Sequence, residues 1–317
     1  MNILLTGAAG FVGHQLLASL KQKGCFVRAV VRTNMSPLAD DDDPGSEIVV
    51  ENLTQATDFK ALLADIDTVI HLADGFNTFE HLPVSANNEE AAERLKTTMA
   101  LINAAALNGT RFIYLSTIKA VCGSCADHVL DEATPPRPQS LYGALKQQAE
   151  QAIMKTSRQH GSKAVVLRFP VVFGPGAGGN MEKLRRLADN PLPLPLPVGD
   201  NRRSLISSRS LIDAINSIVS QQQAPPDIYL VHDGAISTTD MIRLIREGLG
   251  RPQRQFEIPT ASWSLIEKLP FVGQKTLRFT RSLELDDHHF RTTFNWQSPQ
   301  RLQKSLIEWA ANETPRK

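Results

Sequence analysis

The sequence predicts an α/β fold: a doubly wound parallel sheet covered by helices on both faces, with a smaller C-terminal lobe interleaved with it. Three observations carry that expectation. Short β-branched runs alternate with stretches of helical periodicity as far as Pro170. The first run passes straight into a glycine turn, Gly7-Ala8-Ala9-Gly10-Phe11-Val12-Gly13, which opens a helix. Beyond Pro170 the alternation fades and prolines crowd together, so residues 1–170 are expected to form one domain and residues 171–317 mainly a second lobe.

Each element follows from its own residues. Residues 2–6 are a short apolar strand and 7–13 its turn. Residues 14–23 carry Leu16, Leu17 and Leu20 at helical spacing and stop at Gly24. Residues 25–32 and 47–50 are β-rich, and the polar stretch 34–45 between them, with Pro37, Pro44 and the run Asp40 to Asp43, is a solvated loop. A helix is expected over 58–64 and a strand over 67–73, ending in His71-Leu72-Ala73. The alanine-rich stretch 89–108 is a long helix, 111–116 a fifth strand, 141–156 a helix and 164–169 a sixth strand. Residues 191–197, alternating proline and leucine, exclude a helix and read as an extended connector. Helices are expected over 206–221, 238–248 and 300–311. Trp263, Trp296 and Trp309 read as packing anchors.

The bulk numbers narrow the class. With 317 residues, 42% hydrophobic and 21% charged, the chain can bury a large core. A net charge of +1, with basic residues scattered, gives no field that would recruit nucleic acid or an anionic membrane. No apolar run approaches the ~20 residues that span a bilayer. The start Met1-Asn2-Ile3-Leu4-Leu5 lacks a basic region and cleavage site, and three cysteines suggest no disulfide framework, so a cytoplasmic protein is expected. Cys122-Gly123-Ser124-Cys125 has redox spacing, but incidental loop cysteines are the simpler reading. His288-His289 beside Asp286-Asp287 lacks an evident third ligand, so no metal site is expected.

Gly7, Gly10 and Gly13 follow a strand and open a helix, the context that gives such a motif meaning. The glycines allow a tight turn, close approach of backbone to a pyrophosphate and close helix–strand packing, while the helix N-terminus offers free N–H groups to phosphate. Phe11 and Val12 complete this dinucleotide-binding turn. An acidic residue after the second strand would bind the ribose of NAD; here Arg32 stands instead. A guanidinium suits a 2′-phosphate, so Arg32 tilts an NAD(P) cofactor towards NADP, with Arg32 stacked on the adenine of NAD as the alternative.

Tyr142 and Lys146 lie four apart on one expected helix, hence on one face. A phenol releases its proton near pKa ~10, and an ammonium one turn away favours the phenolate, so Lys146 is expected to lower the pKa of Tyr142. A hydroxyl from Thr117 or Ser116 would hold a substrate oxygen. This is proton-transfer apparatus for a carbinol or ketone.

Gly7-x-x-Gly10-x-x-Gly13, Ser116-Thr117 and Tyr142-x-x-x-Lys146 together resemble the extended short-chain dehydrogenase/reductase family, over nearly the whole chain. The gap from Thr117 to Tyr142, 142 − 117 = 25 residues, is similar to that of relatives. Leu167-Arg168-Phe169-Pro170 and the loop after it look like the family's sixth strand and its sequel; Asn180 and Asn201-Arg202-Arg203 resemble the nucleotide-sugar epimerase/dehydratase branch. Ser282-Leu283-Glu284-Leu285-Asp286 and Asn295-Trp296 resemble epimerase-like proteins of bacterial surface-polysaccharide gene sets.

The resemblance implies a Rossmann-type fold, Tyr142 as acid/base, Lys146 on the ribose and Thr117 on the reacting oxygen. It places Asn52, Leu53, Leu72, Ala73 and Pro170 along the cofactor, and Asn180 and Arg203 on the substrate diphosphate. It further implies a UDP-linked sugar and a homodimer built on the helices at 89–108 and 141–156. Two departures stand out. Arg94-Leu95-Lys96-Thr97-Thr98 occupies the stretch where relatives carry an asparagine, and Glu51-Asn52 replaces their Gly-Asp. The expected activity is oxidoreduction at sugar C4, by a 4-epimerase or a 4-ketosugar reductase. The alternatives are a reductase of a non-nucleotide ketone and a non-catalytic NAD(P)-binding sensor.

Overall fold

The computed structural model describes residues 1–32, 45–197, 201–258 and 280–312. Most of the loop expected at 34–45, and Trp263, therefore lie outside the described residues. The chain divides into two compact units: Met1–Gly123 with Pro135–Arg168 and Ile218–Tyr229, and Ser124–Thr134 with Phe169–Ser217 and Leu230–Lys317.

The first unit is built on a seven-stranded sheet. Its strands are β1 (Asn2–Thr6), β2 (Phe26–Val31), β3 (Ser46–Val50), β4 (Thr68–His71), β5 (Arg111–Leu115), β6 (Ala164–Arg168) and, at one edge, β10 (Asp227–Leu230). The spatial order is β10-β6-β5-β4-β1-β2-β3. The pairs β1–β2, β2–β3, β1–β4, β4–β5 and β5–β6 are parallel, with Leu5 opposite Ala29 on one side of β1 and Ile70 on the other. Strand order reverses at β1 between β2 and β4, and ligands of such sheets bind at the strands' carboxyl ends beside that reversal. Strands β4, β5 and β6 are buried along their whole length. Their lack of polar alternation, with Val69-Ile70 in β4, Phe112-Ile113-Tyr114-Leu115 in β5 and Val165-Val166-Leu167 in β6, follows from burial on both faces.

Three helices matter most: α1 (Phe11–Gln22), α3 (Glu89–Leu107) and α4 (Leu141–His160). The short α2 (Phe59–Leu62) is capped by the Asp58 carboxylate, which accepts the Ala61 N–H at 3.0 Å. Asn88 caps α3, and Ser140 caps α4 by accepting the Gly143 N–H. Helix α4 closes at Gly161 with φ +63°, a turn beyond the expected 156, because no glycine or proline stands between Thr156 and Gly161. Leu145, Ala149 and Ile153 of α4 and Leu101, Ile102 and Ala105 of α3 share one core with Leu4, Val69, Phe112 and Val166 of the sheet.

The second unit holds β7 (Val171–Phe173), β9 (Arg203–Ser207) and β11 (Gly234–Ile236) in one small sheet, and β8 (Leu194–Pro197) with β12 (Gln255–Ile258) in another. Its helices are α5 (Gly179–Asp189), α6 (Ser208–Ser220), α7 (Thr238–Gly248), α8 (His288–Phe294) and α9 (Leu302–Asn312). Phe173, Leu205, Met241, Ile245, Leu306 and Trp309 form its core, with the Phe173 and Trp309 rings 5.8 Å apart. Trp296 packs edge-on to Phe290 and donates to the Asp213 carboxylate at 2.9 Å. Both tryptophans are packing anchors, as their sequence context suggested. The connector at 191–197 is extended and gains a partner: its last four residues pair in parallel with β12. Strands β7, β9, β10 and β11 escape sequence reading because they are three to five residues long and lack clean alternation.

At the end of β6, Arg168 forms a buried ion pair with Glu150 of α4, with Arg168 Nη2 and Nε both donating to the carboxylate and the closest approach 2.7 Å. The Ser116 hydroxyl donates to the same carboxylate. Removing one partner leaves the other charge buried and alone. Arg168→Met is therefore expected to lower unfolding free energy by about 3–5 kcal/mol, and Arg168→Met with Glu150→Leu by much less. Denaturant melts of the single and double variants check this.

Candidate active site

The glycine turn carries out the geometry expected of it. Gly7 sits at φ +79° between β1 and α1. A Cβ at Gly13 would lie 2.0 Å from the Gly7 carbonyl oxygen, so any side chain there would drive α1 off the turn. Gly10 precedes the helix with no side chain capping it, which leaves the first N–H groups of a twelve-residue helix to a ligand. Leu72 and Ala73 continue β4 beside this turn, and the Thr6 hydroxyl accepts both of their N–H groups at 3.3 Å. Arg32 is exposed immediately after β2, and Asn52 is exposed after β3 with Leu53 packed against the core. The residues present fit a dinucleotide: a glycine cradle a Cβ would fill, an uncapped helix start, and a cation where a ribose carboxylate partner would stand.

Downstream of β5, Thr117 caps a short 3-10 turn, Ile118–Ala120, and its hydroxyl lies beside the Tyr142 phenol. Gly143 makes this meeting possible. A Cβ there would lie 2.2 Å from the Lys119 carbonyl oxygen, so only glycine lets α4 approach the turn that carries Thr117. The Ser116 side chain points into the core instead, 1% exposed and committed to Glu150. The two neighbouring hydroxyls thus have different roles, and Thr117 is the one beside Tyr142.

One turn below Tyr142, Lys146 is buried. Its ammonium donates to the Leu115 carbonyl at 2.6 Å and pairs with the Asp74 carboxylate at 2.6 Å. Asp74 also accepts the Tyr114 hydroxyl at 2.7 Å, and the Lys146 nitrogen stands 4.6 Å above the Tyr114 ring. Burial by itself would raise the Asp74 carboxyl, but Lys146, His71 and the bonds from Lys146 and Tyr114 outweigh it and hold the group below the usual carboxylate range. Sequence reasoning missed Asp74, whose only signal was an acid directly after an apolar strand.

Tyr142 departs from expectation. Its proton affinity is raised, first by burial and then by the Asp74 and Glu80 charges, against the opposing influence of the Thr117 hydroxyl. The expected lowering by Lys146 presumed an unpaired ammonium; here Asp74 balances that charge.

His71 ends β4 between Thr6, 2.7 Å from Nδ1, and Thr98 of α3, 3.3 Å from Nε2. Thr98 and Arg94 lie in the stretch where the family asparagine is missing. Arg94 donates to the Gly75 carbonyl at 2.6 Å and pairs with Glu90 of its own helix.

In the second unit, Pro170 is buried ahead of β7 and Asn180 is exposed in the first turn of α5. Arg203 donates to the backbone carbonyls of Ser124 and Arg281. The segment Ser282–Asp286 helps hold this unit together. Leu283 and Leu285 are buried and bridge Arg203 and Leu130, and Arg202 pairs with Glu284 at 3.0 Å. Among the described residues no three His, Cys, Asp or Glu side chains gather as metal ligands, and Cys25, Cys122 and Cys125 are free thiols. No described helix is long and apolar enough to cross a membrane.

A nucleotide-type turn at a parallel-sheet reversal, with a Tyr–Lys–Thr cluster at the neighbouring strand end, defines a dinucleotide-dependent oxidoreductase. The signature of the NAD dependent epimerase/dehydratase family matches residues 3–231, and the chain belongs to that family. It is 30% identical, over 98% of its length and 94% of the relative's, to a UDP-glucose 4-epimerase of Vibrio cholerae. It is 24% identical, over 99% and 96%, to a dTDP-6-deoxy-L-talose 4-dehydrogenase (NAD(P)(+)) of Kitasatospora kifunensis. The fold is similar to a UDP-glucuronic acid 4-epimerase of Bacillus cereus solved in complex with NAD, with TM-score 0.73 and 19% identity over 99% of this chain and 97% of that one. The protein is therefore an enzyme with a nicotinamide dinucleotide cofactor.

Two outcomes test this geometry. Gly143→Ala is expected to separate Thr117 from Tyr142 and to lower turnover by about tenfold or more, with a smaller change in cofactor binding; kinetics beside NADH fluorescence titration check it. Burial, aided by Lys146 and opposed by Asp74, lowers the His71 pKa from 6.5 to about 4. The unfolded chain then binds more protons between those values, so stability is present above the unfolded value and lost as pH falls through the folded one. From about pH 7 to about pH 5 this loss is about 2 kcal/mol, and His71→Gln is expected to remove it from the difference between urea melts at the two pH values.

Proposed function

We propose that the enzyme catalyses oxidoreduction at C4 of a nucleotide-linked sugar, with a UDP-sugar as the substrate class. The observation that carries this reading is the Thr117 hydroxyl beside the Tyr142 phenol, one helical turn from a buried Lys146. The bound nicotinamide would supply or accept the hydride. Thr117 holds the C4 oxygen and Tyr142 exchanges its proton, while Lys146 and the turn at Gly7–Gly13 fix the ribose and pyrophosphate. Asn180 and Arg203 are the proposed contacts to the substrate diphosphate.

Two versions share this chemistry. Net reduction of a 4-ketosugar with NADPH is supported by Arg32 after β2 and by a phenol that keeps its proton near neutrality, ready to donate it to a forming alkoxide. Epimerisation with retained NAD is supported by the relatives' names. A homodimer built on α3 and α4 is part of this reading, supported by exposed Met99 and Leu107 on α3.

The test combines three readouts: the dinucleotide extracted from the purified protein, turnover of UDP-hexoses and UDP-4-ketosugars, and inhibition by UDP. Tyr142→Phe is expected to lower turnover by about 10²–10⁴-fold while dinucleotide binding survives. Co-purified NAD with interconversion of C4 epimers selects the epimerase, whereas an empty protein preferring NADPH selects the reductase. Turnover of a plain ketone with no inhibition by UDP would sink the nucleotide-sugar reading.

A further inference from the structure

Asp74 is a buried charged side chain beside Tyr142 to which the proposed chemistry assigns no role. It stands three residues beyond β4 and is 7% exposed. Three donors hold it. Oδ2 meets Lys146 at 2.6 Å and Tyr114 at 2.7 Å, and Oδ1 accepts the Phe76 N–H at 3.1 Å. Arg94 fastens the following residue from α3 through the Gly75 carbonyl. These contacts hold the carboxylate towards Lys146.

The consequence falls on Lys146. An ammonium has three N–H donors. Asp74 and the Leu115 carbonyl take two of them, which fixes the direction of the third. Tyr142 meanwhile faces charges of both signs. Asp74 and Glu80 act on it from the segment after β4, Asp74 paired with Lys146 of the same helix as Tyr142 and Glu80 with Lys119 of the turn after β5; the neutral Thr117 and Tyr114 hydroxyls lie beside it. Each cation there is answered by an anion, so the phenol sees no net positive charge.

We infer that Asp74 is a positioning residue for the reaction: it clamps the Lys146 ammonium and cancels its charge at Tyr142, so the carboxylate, not the lysine alone, sets where the phenol exchanges its proton. This rests on Tyr142 being the acid/base of the proposed reaction, and the phenol is read directly so that the two can fail separately.

The chain has three tyrosines, so tyrosinate absorbance of the purified protein minus that of Tyr142→Phe isolates the Tyr142 transition. In Asp74→Asn, blanked by Asp74→Asn with Tyr142→Phe, that transition is expected about one to three pH units lower than in the wild type. The alkaline limb of kcat/KM should move the same way. Asp74→Glu, which keeps the charge, should restore the wild-type position. A folded Asp74→Asn with an unmoved transition overturns the inference. If Asp74→Asn does not fold, the neutral pair Asp74→Asn with Lys146→Met decides, because replacing both charges avoids burying one alone. Its Tyr142 transition should stay within about one pH unit of wild type, the accuracy to which such buried groups are compared; a larger movement in either direction overturns the inference. Failure of turnover in every variant with the predicted phenol shifts intact would strike the proposed reaction instead.

Discussion

A lysine ammonium at the end of a buried parallel sheet has to be matched by an anion, and the match at Lys146 organises everything around it. An unpaired charge in such a place would lose its proton or unfold the site. Asp74 supplies the anion from the loop after β4, and Leu115 supplies a carbonyl from the end of β5. One side chain on α4 therefore ties together two strand ends of the sheet. Tyr142, one turn earlier on the same helix, inherits its place from that tie. So does the proton chemistry, because the paired charge leaves burial to decide how firmly the phenol keeps its proton.

Helix α4 is used at nearly every turn. Tyr142 faces Thr117, Gly143 admits the Lys119 carbonyl, Lys146 meets Asp74, and Glu150 takes Arg168 and Ser116. Two buried ion pairs of opposite polarity thus stand one turn apart on one helix face, each linking α4 to the sheet. Beside them stand Leu145 and Ala149, which belong to the apolar core. The polar contacts set register and direction; the apolar ones provide the bulk of the burial. The glycine turn solves a separate problem at β1, where close packing of α1 demands that Gly13 carry no side chain.

The family motifs were legible because each is local. Gly7, Gly10 and Gly13 are constrained by a single turn and the helix it opens, and Tyr142 and Lys146 by one helix period. The same locality explains what stayed hidden. Nothing near Ser116 in sequence reveals that Glu150, thirty-four residues later, claims its hydroxyl. Nothing near Arg203 reveals that its guanidinium already serves the Ser124 and Arg281 carbonyls. Thr98 and Arg94 looked like losses from a family pattern, yet in space they meet His71 and the Gly75 carbonyl.

By itself the sequence determined the α/β class, the dinucleotide turn, the helix that bears Tyr142 and Lys146, and the family, since period, turn chemistry and short motifs are properties of neighbouring residues. The tertiary structure alone decided which hydroxyl stands by the phenol, which carboxylate holds the lysine, and in which direction the phenol's proton affinity moves. Those outcomes depend on charges and donors brought together from β4, β5 and α4. An electrostatic balance between groups that are distant along the chain exists only once the sheet has folded.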